Sequence, residues 1–285
     1  MNLLIVGCGD LGGRVAKLAL GRGDRVIGVR RDAGRVPSGV DPIAGDVADP
    51  ASLRFPSGMD AMVYAVAASE RTDEGYARAY PRGLGHALGA LDRTSPGSPV
   101  VFISSTAVYG ENDGQWVDED TELQPARFQG ERMAEAEAVL RSRGHGTSLR
   151  LGGIYGPGRT RLIDLVRAGT FDPAPPVRQW TNRIHVDDAA RAAVHLLDRH
   201  LGGSCGAEVL NGVDEAPVLR EEVLSFIADL LGVPGPAPGM DDAHEESRPF
   251  TNKRVRGDRL RESGFRYRYP TFREGYSALL GITGK

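Results

Sequence analysis

Hydrophobic and polar positions change period repeatedly along the N-terminal part of the chain. Leu3 to Val6 form a short, continuous apolar run, the pattern of a strand buried on both faces. After a glycine-rich turn, Leu11, Val15 and Leu18 recur at the i, i+4, i+7 spacing of a helix, which Gly21 and Gly23 end. The segments RVIGV, DAMVYAVAA and SPVVFISS repeat the strand pattern with helical stretches between them. Strands alternating with helices predict an α/β chain built on a doubly wound parallel sheet. After Gly152 the texture changes, and Pro and Gly become frequent in IYGPGRTR, FDPAPP and GVPGPAPGMDD. No internal repeat or long low-complexity tract is present.

Gly7, Gly9 and Gly12 stand between the first strand and its helix as G-x-G-x-x-G. In that context the first glycine makes a tight turn, the second admits a pyrophosphate against the backbone and the third lets helix and strand approach. The helix N-terminus then faces the phosphates, which brings in Asp10 and Leu11. The pattern predicts a Rossmann-type dinucleotide site. Arg30 and Arg31 follow the second strand, where an NAD-specific site places an acidic residue on the ribose 2′-hydroxyl. A guanidinium there suits a 2′-phosphate, so NADP is favoured and NAD remains possible; the other reading is two surface arginines at a strand end. Asp46 either reaches the adenine amino group or satisfies its own turn. Val47, Ala65 and Ala67 complete the expected cofactor set. The expected organisation is a dinucleotide-binding domain over 1–152, to which 184–212 return, and a small substrate lobe made of 153–183 and 213–285. A lobe built from such late pieces predicts a cleft over the carboxyl ends of the strands.

Bulk properties narrow the partners. The 285 residues carry a formal net charge of -3, and the pI near 6.1 argues against nucleic acid as a partner. Cys8 and Cys205 are the two cysteines, no disulfide framework, which fits a reducing cytoplasm. No run approaches the ~18 apolar residues of a membrane span, MNLLIVG lacks a signal peptide's basic start, and no metal site is assigned. A small-molecule partner and a monomer or homodimer are expected.

With GCGDLGG, FISSTAVYG, LRLGGIYGPG and RIHVDDAA in this order, roughly residues 1 to 215 resemble the extended short-chain dehydrogenases/reductases, the NAD(P)-dependent epimerase/dehydratase family. The tail, NKRVRGDRLRESGFRYRYPTFREGY, looks more like a bacterial atypical branch of that family than like a sugar epimerase. The resemblance implies that Ser105 hydrogen-bonds a substrate oxygen with Ser104 and Thr106 beside it, although polar residues at a strand end are the plainer reading. It also implies that Arg159 and Arg183 hold the distal anionic part of a substrate, with His185 on a substrate-side loop.

The resemblance breaks at FQGER. The interval from Ser105 to Phe128 is close to the family's serine-to-tyrosine interval, so Phe128 stands at the tyrosine position and Arg132 at the lysine position of Tyr-x-x-x-Lys. No tyrosine lies between Tyr109 and Tyr155. Phenylalanine cannot transfer a proton, whereas Arg132 can still hold ribose hydroxyls. Glu131, Asp113, Glu111 and His185 are candidate replacement acids, each with a structural reading beside it: solvated charge, helix-dipole partner or core histidine. Arg248, Lys253, Arg254, Arg256, Arg259, Arg261, Arg266 and Arg268 are either an anion site or a solvated face offsetting DDAHEE. The leading expectation is an NADP-dependent oxidoreductase or epimerase-like enzyme with a non-standard proton relay, acting on an anionic small molecule. The alternative is an NADP-binding redox sensor without turnover.

Overall fold

The computed structural model describes residues 1–171, 178–203, 206–233 and 251–282. Cys205, Arg248, DDAHEE and most of FDPAPP and GVPGPAPGMDD lie outside the described residues. In chain order the elements are β1 (Asn2–Val6), α1 (Asp10–Gly21), β2 (Arg25–Arg30), β3 (Asp41–Ala44), β4 (Ala61–Tyr64), α2 (Asp73–Ala77), α3 (Gly83–Thr94), β5 (Val100–Ser105), β6 (Gln115–Val117), α4 (Phe128–Ser142), β7 (Gly146–Leu151) and β8 (Gly153–Tyr155). They continue with α5 (Arg161–Ala168), β9 (Trp180–Thr181), β10 (Arg183–His185), α6 (Val186–Leu201), β11 (Ala207–Gly212), β12 (Val218–Leu219), α7 (Arg220–Leu231), β13 (Lys253–Val255), α8 (Asp258–Glu262) and α9 (Phe272–Leu279). Two compact units result: 1–109 with 122–150 and 189–210, and 110–121 with 151–188 and 211–285. Among the described residues no helix is long and apolar enough to cross a membrane.

The first unit is organised by a seven-stranded parallel sheet in the order β11-β7-β5-β4-β1-β2-β3. Ile5 on β1 sits opposite Gly28 on β2 and Val63 on β4. Leu3, Leu4, Ile5 and Val6 are fully buried, as are Ala61 to Tyr64, because helices cover both faces. The strand order reverses between β1 and β4, and such sheets bind ligands at the carboxyl ends of the strands beside that switch point. On α1 the buried face is Gly12, Val15, Ala16 and Ala19, while Leu18, expected on that face, is exposed. Close approach of helix to strand selects small residues there and leaves the leucine outside.

One helical run covers Asp73 to Thr94, with a π turn over Arg78–Arg82 between α2 and α3. Pro81 lies inside that turn. It has no N–H to give, and the widened turn accommodates its ring. Thr72 starts the run by accepting the Gly75 N–H at 3.0 Å.

Among its described residues the second unit holds three two-stranded pairs, β8 with β10 and β6 with β13 in parallel, and β9 with β12 antiparallel. Its core joins Tyr155, Leu162, Ile163 and Phe171 to Val223, Leu224, Ile227, Phe272 and Tyr276. Residues 110–121, expected with the dinucleotide-binding domain, fold here instead, because β6 finds its pairing partner in β13. Residues 184–188 likewise stay with the second unit, where β10 pairs with β8.

Candidate active site

The turn after β1 depends on glycine for two separate reasons. Gly7 has φ of 89°, and a Cβ there would stand 2.5 Å from Val66 N and 2.6 Å from the Ala65 carbonyl carbon. A Cβ on Gly12 would overlap the Gly7 carbonyl oxygen and lie 3.1 Å from Ile5 Cγ2. At Gly9 the nearest protein atom to such a Cβ is 4.0 Å away. Protein packing therefore demands Gly7 and Gly12, whereas the space above Gly9 is open to a ligand. Gly9 is the N-cap of α1 and supplies no side-chain oxygen to its first turn. Asp10 at that turn is exposed and pairs with Arg14 at 3.1 Å, while Leu11 is buried. An open, side-chain-free helix start behind a glycine turn fits a pyrophosphate.

Arg30, at the end of β2, leans over the same turn. One guanidinium nitrogen donates to the Cys8 carbonyl at 3.3 Å and to the Arg35 carbonyl at 3.1 Å. Arg31 is exposed. Burial pushes the Cys8 thiol up to about 11, against the opposing influence of Arg30, so the thiol stays protonated. Asp46 accepts the Ala48 N–H at 3.0 Å, the turn-closing reading of its carboxylate, and Ser52 holds its backbone. The Val47 carbonyl meets His86 Nδ1 at 2.8 Å. Ala65 donates its N–H to Val6 at 2.8 Å, continuing the β1–β4 ladder, and Ala67 is exposed. All these residues follow the carboxyl ends of β1 to β4.

The end of β5 separates neighbouring hydroxyls. Ser104, expected beside a substrate, is 3% exposed and donates to Glu137 at 2.6 Å. Strand alternation turns it into the core, where Glu137 also receives Arg150, the closest approach being 2.6 Å, and Arg150 reaches the Tyr109 hydroxyl at 2.8 Å. This is a closed, buried network that no local motif announces. Ser105, half-buried, accepts the Ala107 N–H at 3.1 Å and keeps its own proton for another acceptor. Thr106 is half-buried next to it.

At FQGER the deciding residue for packing is Gly130. A Cβ there would overlap the Ala107 carbonyl oxygen and stand 2.8 Å from Pro125 Cβ, so α4 can lie against the turn after β5 only without a side chain at this position. Phe128 meets the Tyr76 ring edge-on, with centroids 5.5 Å apart and planes at 89°. Arg132, expected on ribose hydroxyls, donates to both carboxylate oxygens of Asp73 at 2.7 and 2.9 Å and to Glu135 at 2.6 Å. All three guanidinium nitrogens are engaged, and the ion pair clamps α2 to α4. Glu131 is exposed in the first turn of α4. Tyr76 and Gly130 had no motif to mark them, although Gly130 inside a helix start was a visible irregularity.

In the second unit His185 is 2% exposed and accepts the Asp187 N–H on Nδ1 at 3.2 Å, so a neutral ring carries its proton on Nε2. Its ring lies between Tyr155 at 5.3 Å and Tyr269 at 4.0 Å, which makes it a core histidine rather than a loop acid. Arg183 lies near Asp214, whose buried carboxyl is pushed well up by desolvation. Burial lowers Lys253 to about 8 against the opposing influence of Glu111. Asp113 is exposed beside Gln115. Arg254 and Arg256 stack on Trp116, both at 4.9 Å, Arg259 pairs with Asp120, and Arg261 meets Asp258 at 2.6 Å. The basic tail is thus largely committed to its own unit. Arg159 is half-buried, its N–H on the Gly156 carbonyl at 2.8 Å.

Comparison with known proteins bears on the fold and the family. No curated protein sequence matches the chain. A putative NAD-dependent epimerase/dehydratase of Methylobacillus flagellatus is 35% identical, with a TM-score of 0.82 over 98% of this chain and 97% of that one. MoeE5 in complex with UDP-glucuronic acid and NAD is 23% identical, with a TM-score of 0.79 over 99% of each chain. The human epimerase family protein SDR39U1 with NADPH is 20% identical, also with a TM-score of 0.79 and 99% of each chain covered. The last two likenesses concern the fold. The model of the NAD dependent epimerase/dehydratase family matches residues 3–209, and the chain belongs to that family.

Proposed function

We propose that the protein is an NADP-dependent oxidoreductase or epimerase/dehydratase-like enzyme that acts on an anionic small molecule through a non-standard proton relay. The observation that carries this reading is the open space above Gly9 with Arg30 anchored to the same turn. Gly9 and the first turn of α1 would receive the pyrophosphate on backbone N–H groups, and Arg30 the 2′-phosphate, with the nitrogens its two carbonyl contacts leave over. A nicotinamide bound there supplies or accepts a hydride. Ser105, with its proton uncommitted to Ala107, would donate to a substrate carbonyl or hydroxyl oxygen. In some neighbours of the same fold the bound molecule is a nucleotide sugar.

The test is thermal stabilisation by NADPH and NADH. The native protein should melt higher with NADPH than with NADH at equal concentration. Gly9→Val should fold, since its Cβ meets nothing closer than 4.0 Å, yet lose the shift because the side chain occupies the pyrophosphate's place. Failure of both nucleotides to shift the native melting temperature defeats the proposal; equal shifts defeat only the preference for NADP.

A further inference from the structure

The family pattern needs a phenol at the start of α4, and this chain offers a phenylalanine there; the structure nevertheless brings a phenol to that ring. Tyr76 reaches it from α2 with centroids 5.5 Å apart and planes at 89°. The contact is one of two rungs between the same helices. Asp73, three positions before Tyr76, takes Arg132, four positions after Phe128. Residues at these spacings share a helix face, so the ion pair and the ring pair fix α2 and α4 in one register. The lysine position has become the clamp that presents Tyr76 beside the tyrosine position.

Tyr76 is also linked to the carboxyl end of β4. Its ring lies 5.2 Å from that of Tyr80, whose hydroxyl accepts the Ala68 N–H at 3.5 Å. Ala68 continues the segment of Ala65 and Val66 that closes over the Gly7 turn. Tyr76 is half-buried, and its hydroxyl has no hydrogen-bond partner among the described residues. By contrast, Tyr64 donates to the Ala79 carbonyl at 2.5 Å and is fully buried. A phenol in contact with the expected proton-donor position and free to donate is what the altered FQGER lacks.

We infer that Tyr76 is the proton donor of this enzyme, working from α2 at the place that Phe128 leaves without an acid. The inference rests on the proposed nicotinamide site. In carbonyl reduction the hydride, with its electron pair, passes from the dihydronicotinamide of NADPH to the carbonyl carbon. The carbonyl π bond becomes the C–O⁻ pair, the Tyr76 O–H bond breaks as its proton moves to that oxygen, and water reprotonates the phenolate. The reverse direction uses the phenolate as base.

The oxidised and reduced nucleotides provide a test independent of turnover, because only NADP⁺ carries a positive nicotinamide ring. A positive ring within a few ångströms of a phenol favours its ionised form, and the neutral dihydronicotinamide does not. Tyrosinate absorbance should therefore rise at lower pH in the NADP⁺ complex than in the NADPH complex. Tyr76→Phe should abolish the difference and keep the thermal shift with NADPH, since it removes an oxygen with no protein partner; Tyr80→Phe should preserve it. Phe128→Tyr in the Tyr76→Phe chain should restore it, and in the native chain should add a second responsive phenol. A redox-dependent difference that survives Tyr76→Phe, or none at all while both nucleotides raise the melting temperature, overturns the assignment and leaves the cofactor site standing. If no nicotinamide nucleotide raises the melting temperature, the proposed function falls and the assignment with it.

Discussion

The turn after β1 and the start of α4 use the same packing device and differ in how they carry chemistry. In each, a helix lies so close to a preceding turn that a Cβ would overlap a carbonyl oxygen, that of Gly7 below Gly12 and that of Ala107 below Gly130. In the proposed function the working groups after β1 are backbone N–H donors, set by the glycines. At α4 the proposed working groups are side chains, and the residues that Phe128 and Arg132 meet, Tyr76 and Asp73, come from a helix far away in sequence. A site made of backbone survives wherever its glycines do. A site made of side chains can change owner while the backbone beneath it stays the same.

The largest effect belongs to the buried polar network that joins α4 to the end of β5. Glu137 is 1% exposed and Arg150 3%, so Glu137→Ala, which strands a buried guanidinium, should cost about 3–5 kcal/mol in urea unfolding. A loss near zero would mean that Ser104 and Tyr109 are not held by this pair. Gly130→Val comes next. Overpacking against Ala107 should cost about 1–3 kcal/mol, and a variant as stable as the native chain would show that α4 is not pressed onto the turn. Arg30→Asp probes the backbone-based site without touching its glycines. Losing a charged hydrogen bond worth roughly 1.5–3 kcal/mol should weaken NADPH by about tenfold to a hundredfold while sparing NADH, as titration calorimetry would read.

The smallest effect concerns the second unit, where Lys253 is pushed down to about 8 from 10.5. Between those values the unfolded chain holds more protons than the folded one, so this group makes stability rise with pH across the window from about 8 to 10.5. Below that window the ammonium is charged in both states and its burial cost is fully present. Lys253→Met should flatten that rise in chemical denaturation; an unchanged slope would show that Lys253 is well solvated.

Much of the first region was legible in the sequence because its signals are local. Apolar runs, the spacing of Gly7, Gly9 and Gly12 and the position of Arg30 each fix backbone geometry within a few residues. The second region was legible only as an anomaly. The interval alone assigns Phe128 and Arg132 their positions, and Arg132 goes to Asp73 because a carboxylate from α2 arrives there, which nothing near FQGER encodes. Ser104 and His185 illustrate the same limit. Strand alternation turns Ser104 to Glu137, and the two tyrosines around His185, Tyr155 and Tyr269, come from separate segments of the second unit. The residues 110–121 changed unit for a similar reason, since the partner of β6 lies in the C-terminal part of the chain.

A crystal structure of the NADPH complex tests the account most directly, because it locates the backbone-based site and the side-chain-based site in one map. The account predicts the pyrophosphate over Gly9 and the first turn of α1, the 2′-phosphate within hydrogen-bond reach of Arg30, Arg132 still on Asp73, and the Tyr76 hydroxyl as the phenol nearest the nicotinamide C4. A nucleotide bound away from the Gly7 turn would contradict the cofactor site. A nicotinamide that approaches Arg132 freed from Asp73, with Tyr76 turned away, would contradict the transfer of the phenol from α4 to α2.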